Sequence, residues 1–581
     1  MILGLHYNYC HNPSATLAKN GEIIAFAEEE RFSRNKHAFN EFPVNAAQFC
    51  LEKAGVSIEK VDAIAIAWDV EKYPDYIKEF NTAFEKQYGP LSGFSQNWLW
   101  NNNRFDKNAL LRLLYQAFPD IQNVKGPDVF FIPHHVAHAA SAFYLSGFNE
   151  ATIITADGKG EEDAIHIYRA DQTGIESLKQ WNIPQSIGFF YTKFTMHFGF
   201  SAQDGEGKLM GLAPYGHDST EMDNKLDLVC PLTNDEHIFK LNPDYFFREN
   251  VIASFSKEWI DLFGKPLKAS RFKEYFQEEK DLAYAVQKRL ETITLRIIKQ
   301  GIQLTGIKQV CCAGGVFMNC KANGVIARMI GGENYFVPPI ASDNGVSLGA
   351  AMTAYAKKVQ IHPKRINSVY WGPSFTDDEI QSALDKSGLP YQRSSNIAMD
   401  AAQYLEKKKV VGWFQDKMEA GARALGARSI LGNPLVPEVR EIINNKVKFR
   451  EPWRPFCPSV IAEDAEQYFE TNGVEMPFMI IACQVKPEYR TLLPSVVHCD
   501  DSVRIQTVTK DSNPLFYSLL LHMKQNTGIG IVLNTSFNRA GEPIVCTPEE
   551  AITCFQATGM DALAIGNFFV IKERGHNENK I

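Results

Sequence analysis

Short apolar blocks open the chain, and their spacing predicts strands before helices. "MILGLHY" and "SATLAKNGEIIAFAEEERF" read as strands, with Asn20-Gly21 as the turn of a hairpin. "PVNAAQFCLEKAG" has helical spacing and is bounded by Pro43 and Gly55, a start and a stop signal. "VDAIAIAW" is a further strand. From about residue 70 to 125 the pattern changes to aromatics and asparagines, as in "FSQNWLWNNNRF", which predicts an inserted helical lobe. A second strand-rich block starts near 128 with "DVFFIP", which leads into the helical run "HHVAHAASAFYLSG".

"EATIITADGKGEEDAIHIYRA" predicts two strands joined by a glycine-containing turn. "KQVCCAGGVFMNCKANGVIARM" is strand, Gly-Gly turn and helix, and "NYFVPPIASDNGVSLGAAMTAYA" repeats that order with a longer loop. Strands that feed loops ending at helix starts place ligands at strand carboxyl ends, where helix N-termini suit phosphates. "QIHPKRINSVYWGPSF" interrupts the helical pattern with two prolines and a glycine, and a domain boundary falls there. The first domain is 1–365 and the second 366–581, a mixed α/β domain that opens with "TDDEIQSALDKSG" and contains the strands "VVGWFQ" and "GIGIVLNTSF".

A chain of 581 residues, 45% apolar and 22% charged, is long enough for several well-filled cores. The net charge of −8 gives no general electrostatic footprint for nucleic acid. Eleven cysteines occur without a CxxC pair, the pattern of reduced thiols in a cytoplasmic protein. The start lacks the basic flank and apolar stretch of a signal peptide, and no apolar run of about 18 residues exists to span a bilayer.

His134 and His138 lie four positions apart, so one helix face carries both imidazoles. The same spacing fits a helix with core or capping histidines. Two acids change the balance: Asp157 in "TADGKG" ends a strand, and Asp343 in "ASDNG" sits in a loop at another strand end. If the halves of the domain face each other, two His and two Asp make a set suited to iron, zinc or manganese. His135, one step around the helix, points elsewhere and is structural. "ADGKG" with Gly158, "AGGVFMN" with Gly314, Gly315 and Asn319, "DGEGKLMGLAPYG" with Gly207 and Lys208, and "SDNG" with Asn344 are candidate nucleotide-binding segments. Glycine lets backbone N–H groups approach phosphate closely, although none of these segments is a P-loop or GxGxxG.

The second domain concentrates cations in apolar or proline-rich settings. "MEAGARALGARSIL" carries Arg423 and Arg428, and "NNKVKFREPWRPFCPS" carries Lys446, Lys448, Arg450 and Arg454. "DDSVRIQTV" adds Arg504, and "NTSFNRAGEPIV" adds Ser536, Asn538 and Arg539. Arginine matches phosphate or carboxylate through paired hydrogen bonds, so a phosphate-bearing substrate fits better than an ordinary solvated surface.

The motifs "GLHYNYCHNPSA", "AEEERFSRNKH", "HHVAHAASAF", "ADGKGE", "EGKLMGLAPYG", "AGGVFMN", "ASDNGVSLGAA", "ARALGARSIL", "KFREPWRPFCPS", "VRIQTV" and "NTSFN" occur in one order from end to end. In this the sequence resembles the O-carbamoyltransferases of the NodU/CmcH/TobZ family. The resemblance implies an N-terminal actin/sugar-kinase-like domain, a duplicated ribonuclease H-like fold, followed by a YrdC-like α/β domain. It implies that the second domain binds ATP, accompanied by Mg2+, and carbamoyl phosphate. Lys448, Arg454, Ser536 and Asn538 would match the family's tetrad there, with Arg423 and Arg504 completing the cradle. Carbamoyl-adenylate formed there would pass internally to the first domain. In that domain a hydroxyl of a small-molecule acceptor, a natural product or sugar, would take the carbamoyl group and AMP would leave. The family's iron, Fe2+ or another divalent metal, would be held by His134, His138, Asp157 and Asp343, and His11 would take the acceptor's proton. Many members carry Asp where this chain has Asn12, which withdraws an acid role from that position and leaves His11 intact.

Two other readings compete. A threonylcarbamoyl-type tRNA-modifying enzyme would share the N-terminal fold, but the arginine-rich second domain and the negative net charge argue against an RNA partner. A noncatalytic actin-like scaffold would not need His11, the His/Asp set and the Lys-Arg-Ser-Asn set together. The aromatic and asparagine-rich stretch from 92 to 105, with Trp98 and Trp100, suits a pocket that stacks on a ring and hydrogen-bonds hydroxyls, although both tryptophans fit a core equally well.

Overall fold

The computed structural model describes residues 1–8, 11–73, 82, 86, 106–122, 126–246, 254–270 and 272–572. The chain divides into two compact units, Met1–Ile366 and Asn367–Ile581.

The first unit contains two five-stranded sheets of the same design. In the first sheet β1 (Ile2–His6) pairs antiparallel with β2 (Ser14–Lys19), which pairs antiparallel with β3 (Glu22–Glu28). On its other side β1 runs parallel to β4 (Ala63–Ile66), and β4 runs parallel to β5 (Asp128–Phe131). The order is therefore β3-β2-β1-β4-β5. The second sheet repeats it: β6 (Ala151–Ala156), β7 (Asp163–Asp171) and β8 (Gly174–Asn182) form the antiparallel meander. The strands β9 (Val310–Ala313) and β10 (Tyr335–Phe336) add parallel to β6 and to each other. This is the duplicated ribonuclease H-like arrangement of an actin/sugar-kinase-like domain. The "EATIITADGKGEEDAIHIYRA" segment forms its two strands, and β8 adds a third that the sequence reading did not include.

Local chemistry explains the elements. The β2–β3 turn places Asn20 and Gly21 at φ 53° and 77°, the left-handed pair that a two-residue hairpin demands. β1, β4 and β9 are buried at every position, as strands with parallel neighbours and covered faces require. The two halves meet through the histidine helix His134–Ser146 and the helix Val346–Ala356. A Cβ on Gly349 would lie 1.7 Å from the Ala137 carbonyl oxygen, so only glycine permits that approach. Of the expected 70–125 lobe, the helix Lys107–Ala117 is among the described residues; the 92–105 stretch lies outside them.

The second unit is built on a mixed eight-stranded sheet. Its strands are β11 (Tyr391–Arg393), β12 (Val411–Phe414), β13 (Arg428–Gly432), β14 (Cys457–Ile461), β17 (Gln506–Val508), β18 (Ile531–Ser536), β19 (Ala562–Ile565) and β20 (Phe568–Ile571). Their order is β11-β20-β19-β12-β13-β18-β14-β17, and the short pair β15 (Cys483–Gln484) and β16 (Ser502–Val503) stands apart. The helices Ile397–Glu406 and Pro514–Thr527 cover one face around Trp413, Leu431, Val532 and Phe516.

Candidate functional site

Each half of the first unit delivers residues to one place. From the first half comes the histidine helix, entered through Pro133 and buried along almost its whole length. From the second come Asp157, directly after β6, and Asp343, in the 3-10 turn ahead of the helix Val346–Ala356. The helical i,i+4 spacing points both imidazoles the same way. His138 Nε2 lies 3.1 Å from Asp157 Oδ2 and 3.5 Å from Asp343 Oδ1. His134 Nε2 lies 3.6 Å from Asp343 Oδ1 and 3.1 Å from His138 Nε2. One ligand atom from each of the four residues falls within 4.8 Å of the others.

Electrostatics favour a cation here. Burial alone would push the His134 imidazole down, but the Asp343 and Asp157 carboxylates overcome it and lift the group to about 9. Burial opposes ionisation of Asp157, yet hydrogen bonds from His134 and His138 hold it well below the usual carboxylate range. Asp343 also ends below that range, despite burial and the neighbouring Asp157, because of the surrounding imidazoles. Two ring nitrogens 3.1 Å apart between two ionised carboxylates are badly matched as partners for each other. A divalent ion satisfies all four, and two nitrogens with two oxygens fit a borderline transition metal.

Around this set lie residues the sequence reading did not single out. Glu161, buried in the β6–β7 turn, accepts the His134 backbone N–H at both carboxylate oxygens (3.0 and 3.1 Å) and the Asp69 N–H at 2.8 Å. It thus caps the histidine helix from the loop that carries Asp157. His6, the last residue of β1, is fully buried with its Nε2 3.7 Å from Asp343 Oδ2, and burial holds it neutral, down to about 3. Asn8 donates from Nδ2 to Asp343 Oδ2 (3.1 Å) and accepts the His11 N–H (3.2 Å). His11 stands at the rim, with Nε2 3.8 Å from the same carboxylate oxygen. His135 faces away: its Nδ1 meets Thr155 Oγ1 at 2.8 Å and its ring stacks on His166. A polar residue closing an apolar strand was the available signal for His6.

The glycine segments reach the centre unequally. Gly315 donates its N–H to Asp157 Oδ2 (3.0 Å), and Gly314, at φ 103°, packs on Ala156 where a Cβ would lie 2.1 Å from the carbonyl oxygen. Gly158 donates to Asp157 Oδ1 (2.6 Å). Asn319 caps the helix Cys320–Ile330 by accepting from Ala322 N–H (3.1 Å), and it exchanges hydrogen bonds with Gln287. Asn344 donates to Glu28 Oε1 (3.2 Å). Gly207 and Lys208 lie on the helix Glu206–Leu212, with the Lys208 ammonium 5.5 Å from the Phe200 ring centroid. Just ahead of them Asp204, missed by the sequence reading, pairs with Lys36 and lies 3.8 Å from His37 Nε2.

In the second unit Lys448 ends a π-helical turn, Ile443–Lys448, that closes on left-handed Phe449 (φ 47°). Such turns recur at functional sites. The Lys448 ammonium donates to the carbonyl oxygen and Oγ of Ser536 and to Asn538 Oδ1, the last at 2.5 Å. Ser536 Oγ also donates to Asn538 Oδ1 at 2.8 Å. Arg454, about one-third exposed, lies 3.6 Å from Glu451. Arg450 is half-buried against Phe456, and desolvation together with Arg454 and Arg504 pushes its guanidinium down. Arg504 points Nε and Nη2 at the Cys457 sulfur (3.1 and 3.0 Å). The loop of Arg423 rests on β18, where Asn534 Nδ2 donates to the Ala424 carbonyl (3.2 Å), and Glu419 Oε1 gathers the N–H groups of Leu425, Ala427 and Arg428. Arg428 departs from the sequence reading. It is fully buried, lies over Phe414 and spends its guanidinium on the carbonyls of Gln415, Asp416, Ala427 and Pro373, so it braces the fold.

No described helix is long and apolar enough to cross a membrane. The family model described as carbamoyltransferase N-terminus matches residues 1–352, and the one described as carbamoyltransferase C-terminus matches 402–572. The chain is 36% identical to an uncharacterized protein of Synechocystis sp., covering 98% of this chain and 96% of that one. It is 33% identical to nodulation protein NolNO of Sinorhizobium fredii (99% and 81% covered) and 24% identical to nodulation protein U of Bradyrhizobium diazoefficiens (94% and 93% covered).

Proposed function

The chain belongs to the carbamoyltransferase family, and from that membership we propose that it is an ATP-dependent O-carbamoyltransferase working through carbamoyl-adenylate. In the second unit carbamoyl phosphate and water give carbamate and phosphate. A carbamate oxygen then attacks the α-phosphate of ATP, brought in with Mg2+, and pyrophosphate leaves. Arg454, Arg504 and Arg423 hold the anions in this reading, while Lys448 keeps Ser536 and Asn538 in register and carries positive charge beside them. Arginine suits this work because its fork matches phosphate oxygens in pairs.

In the first unit a hydroxyl of a small-molecule acceptor, a sugar or other natural product, attacks the carbamoyl carbon. The bond from that carbon to the phosphate oxygen breaks, and AMP leaves with the electron pair. His11 takes the hydroxyl proton at Nε2, which lies 3.8 Å from Asp343 Oδ2. His134, His138, Asp157 and Asp343 would hold a divalent metal, iron by resemblance, which when bound supplies Lewis-acid stabilisation of the leaving phosphate. His6, neutral and buried, keeps that side of Asp343 dry.

The observation that carries the proposal is the pairing, in one chain, of a buried His2Asp2 set flanked by His11 with a Lys448–Ser536–Asn538 cluster, in a unit where Arg450 also has Arg454 and Arg504 as neighbours. The test is product accounting with carbamoyl phosphate and ATP. Pyrophosphate is expected to form one-for-one with phosphate, followed by AMP as the adenylate is consumed. Release of ADP, or of phosphate without pyrophosphate, sinks the adenylate route.

A further inference from the structure

Beside His11 the chain holds a phenyl ring in the open. Phe39 is 41% exposed. It stands edge-on to His11, centroids 6.5 Å apart at 67°, and to His37, 5.6 Å apart at 64°. A single exposed aromatic is ordinary on a protein surface. The backbone that presents this one is not. His37, Ala38 and Asn40 have φ of 64°, 43° and 61°, and Asn12, next to His11, has φ 55°. Left-handed residues that are not glycine suffer Cβ clashes and persist only where their surroundings over-determine them.

Here the surroundings do so. The Asn12 N–H donates to the His37 carbonyl (2.8 Å), and His37 Nδ1 meets Asn12 Oδ1 (3.0 Å). The His37 N–H donates to Glu30 Oε2 (2.6 Å), the Ala38 N–H to the Asn35 carbonyl (2.7 Å), and Asn35 Nδ2 to Glu41 Oε1 (2.9 Å). Two strained turns, one bearing His11 and the other Phe39, are thereby tied together so that a flat apolar face stands next to the proton acceptor. The Lys36–Asp204 ion pair close to His37 offers neighbouring hydroxyls a donor and an acceptor.

Resting on the transfer reading above, we infer that Phe39 is a specificity-determining residue, the platform on which the C–H face of a pyranose-type acceptor ring lies while one of its hydroxyls meets His11. An acyclic alcohol or water reaches His11 without using that face. The ring hydroxyl oxygen bonds to the carbamoyl carbon, its proton goes to His11 Nε2, and AMP departs with the electrons of the broken bond.

The experiment supplies preformed carbamoyl-adenylate together with methyl pyranosides of glucose, mannose and galactose. It measures the partition of the carbamoyl group between glycoside and water. In Phe39→Ala and Phe39→Leu the glycoside-to-water ratio should fall roughly three- to tenfold, the range for losing one aromatic contact, through a raised KM for the glycoside. Phe39→Trp should hold or raise it. An unchanged ratio in both truncated variants overturns the inference, and so does a wild-type enzyme that hydrolyses the adenylate but carbamoylates none of the three probes. A wild-type enzyme that consumes no adenylate at all rejects the transfer reading itself, and the inference with it.

Discussion

The centre in the first unit and the cradle in the second are assembled from opposite charges. Around Asp157 and Asp343 the chain gathers carboxylates and imidazoles in near-complete burial. In the second unit Lys448 holds Ser536 and Asn538, and Arg450 has Arg454 and Arg504 as neighbours, with Arg454 partly open to solvent. On the proposed reading a polyanion would enter the second directly, whereas the first would repel one until a cation sat between. A shared phosphate chemistry would then not dictate a shared design: one site would carry its positive charge in covalently attached side chains, and the other would borrow it.

The sharpest way to break this contrast is to take away the borrowed charge. His138→Ala should lose most of its bound metal and slow transfer by at least about 10³-fold, since a Lewis acid contributes several kcal/mol at the transition state. Pyrophosphate formation should continue in the same variant. Metal analysis beside the two product assays checks this, and full metal occupancy would remove His138 from the ligand set. His11→Ala should leave metal content alone and slow transfer by about 10²- to 10³-fold, within the range for losing a general base. Equal losses in adenylate formation and transfer would place His11 in the first half-reaction instead.

The cradle should answer more mildly. Arg454→Ala is expected to slow adenylate formation by about 10- to 100-fold, because a hydrogen bond to a charged group is worth roughly 1.5–3 kcal/mol. Supplied carbamoyl-adenylate should restore transfer in this variant and fail to do so in His138→Ala. Failure of the rescue in a folded Arg454→Ala protein would merge the two sites into one.

The smallest effect concerns acid. His197 is buried, accepts the Trp259 Nε1–H at 3.2 Å, and is held by burial down to about 4. The unfolded chain protonates this imidazole near 6.5, so the unfolded state binds the extra proton between pH 6.5 and 4. Stability of the first unit is full above pH 6.5 and should fall as pH drops through that window, by about 3 kcal/mol at most from this residue. His197→Phe should flatten part of the slope in urea titrations at pH 7.5 and 5. An unaltered slope would assign the acid sensitivity to other groups.

Much of the first unit could be read before any coordinates. His134 and His138 announce themselves by helical period, and Asp157 by closing an apolar run. Their convergence could be stated only as a condition, because it depends on two sheets folding toward each other. Glu161 and Asn8 were missed for a physical reason: each acts through backbone N–H groups or a single carboxylate oxygen brought in from far along the chain. Arg428 misled because sequence shows a charge and not its burial. Carbonyls from three separate segments solvate it. Of the three left-handed residues that surround Phe39, His37 and Asn40 are of types enriched in that backbone, but Ala38 is not, and no glycine marks the segment in the sequence.

The repeated sheet order has an ancestral consequence. The first half contributes imidazoles to the centre and the second contributes carboxylates. Two identical copies related by a twofold axis would supply the same residues from each side, at best one histidine and one aspartate apiece. A set with both imidazoles from one half and both carboxylates from the other therefore cannot arise in a symmetric homodimer of such halves. It requires two sequences free to diverge, and joining them in one polypeptide is what made that division of labour heritable as a unit.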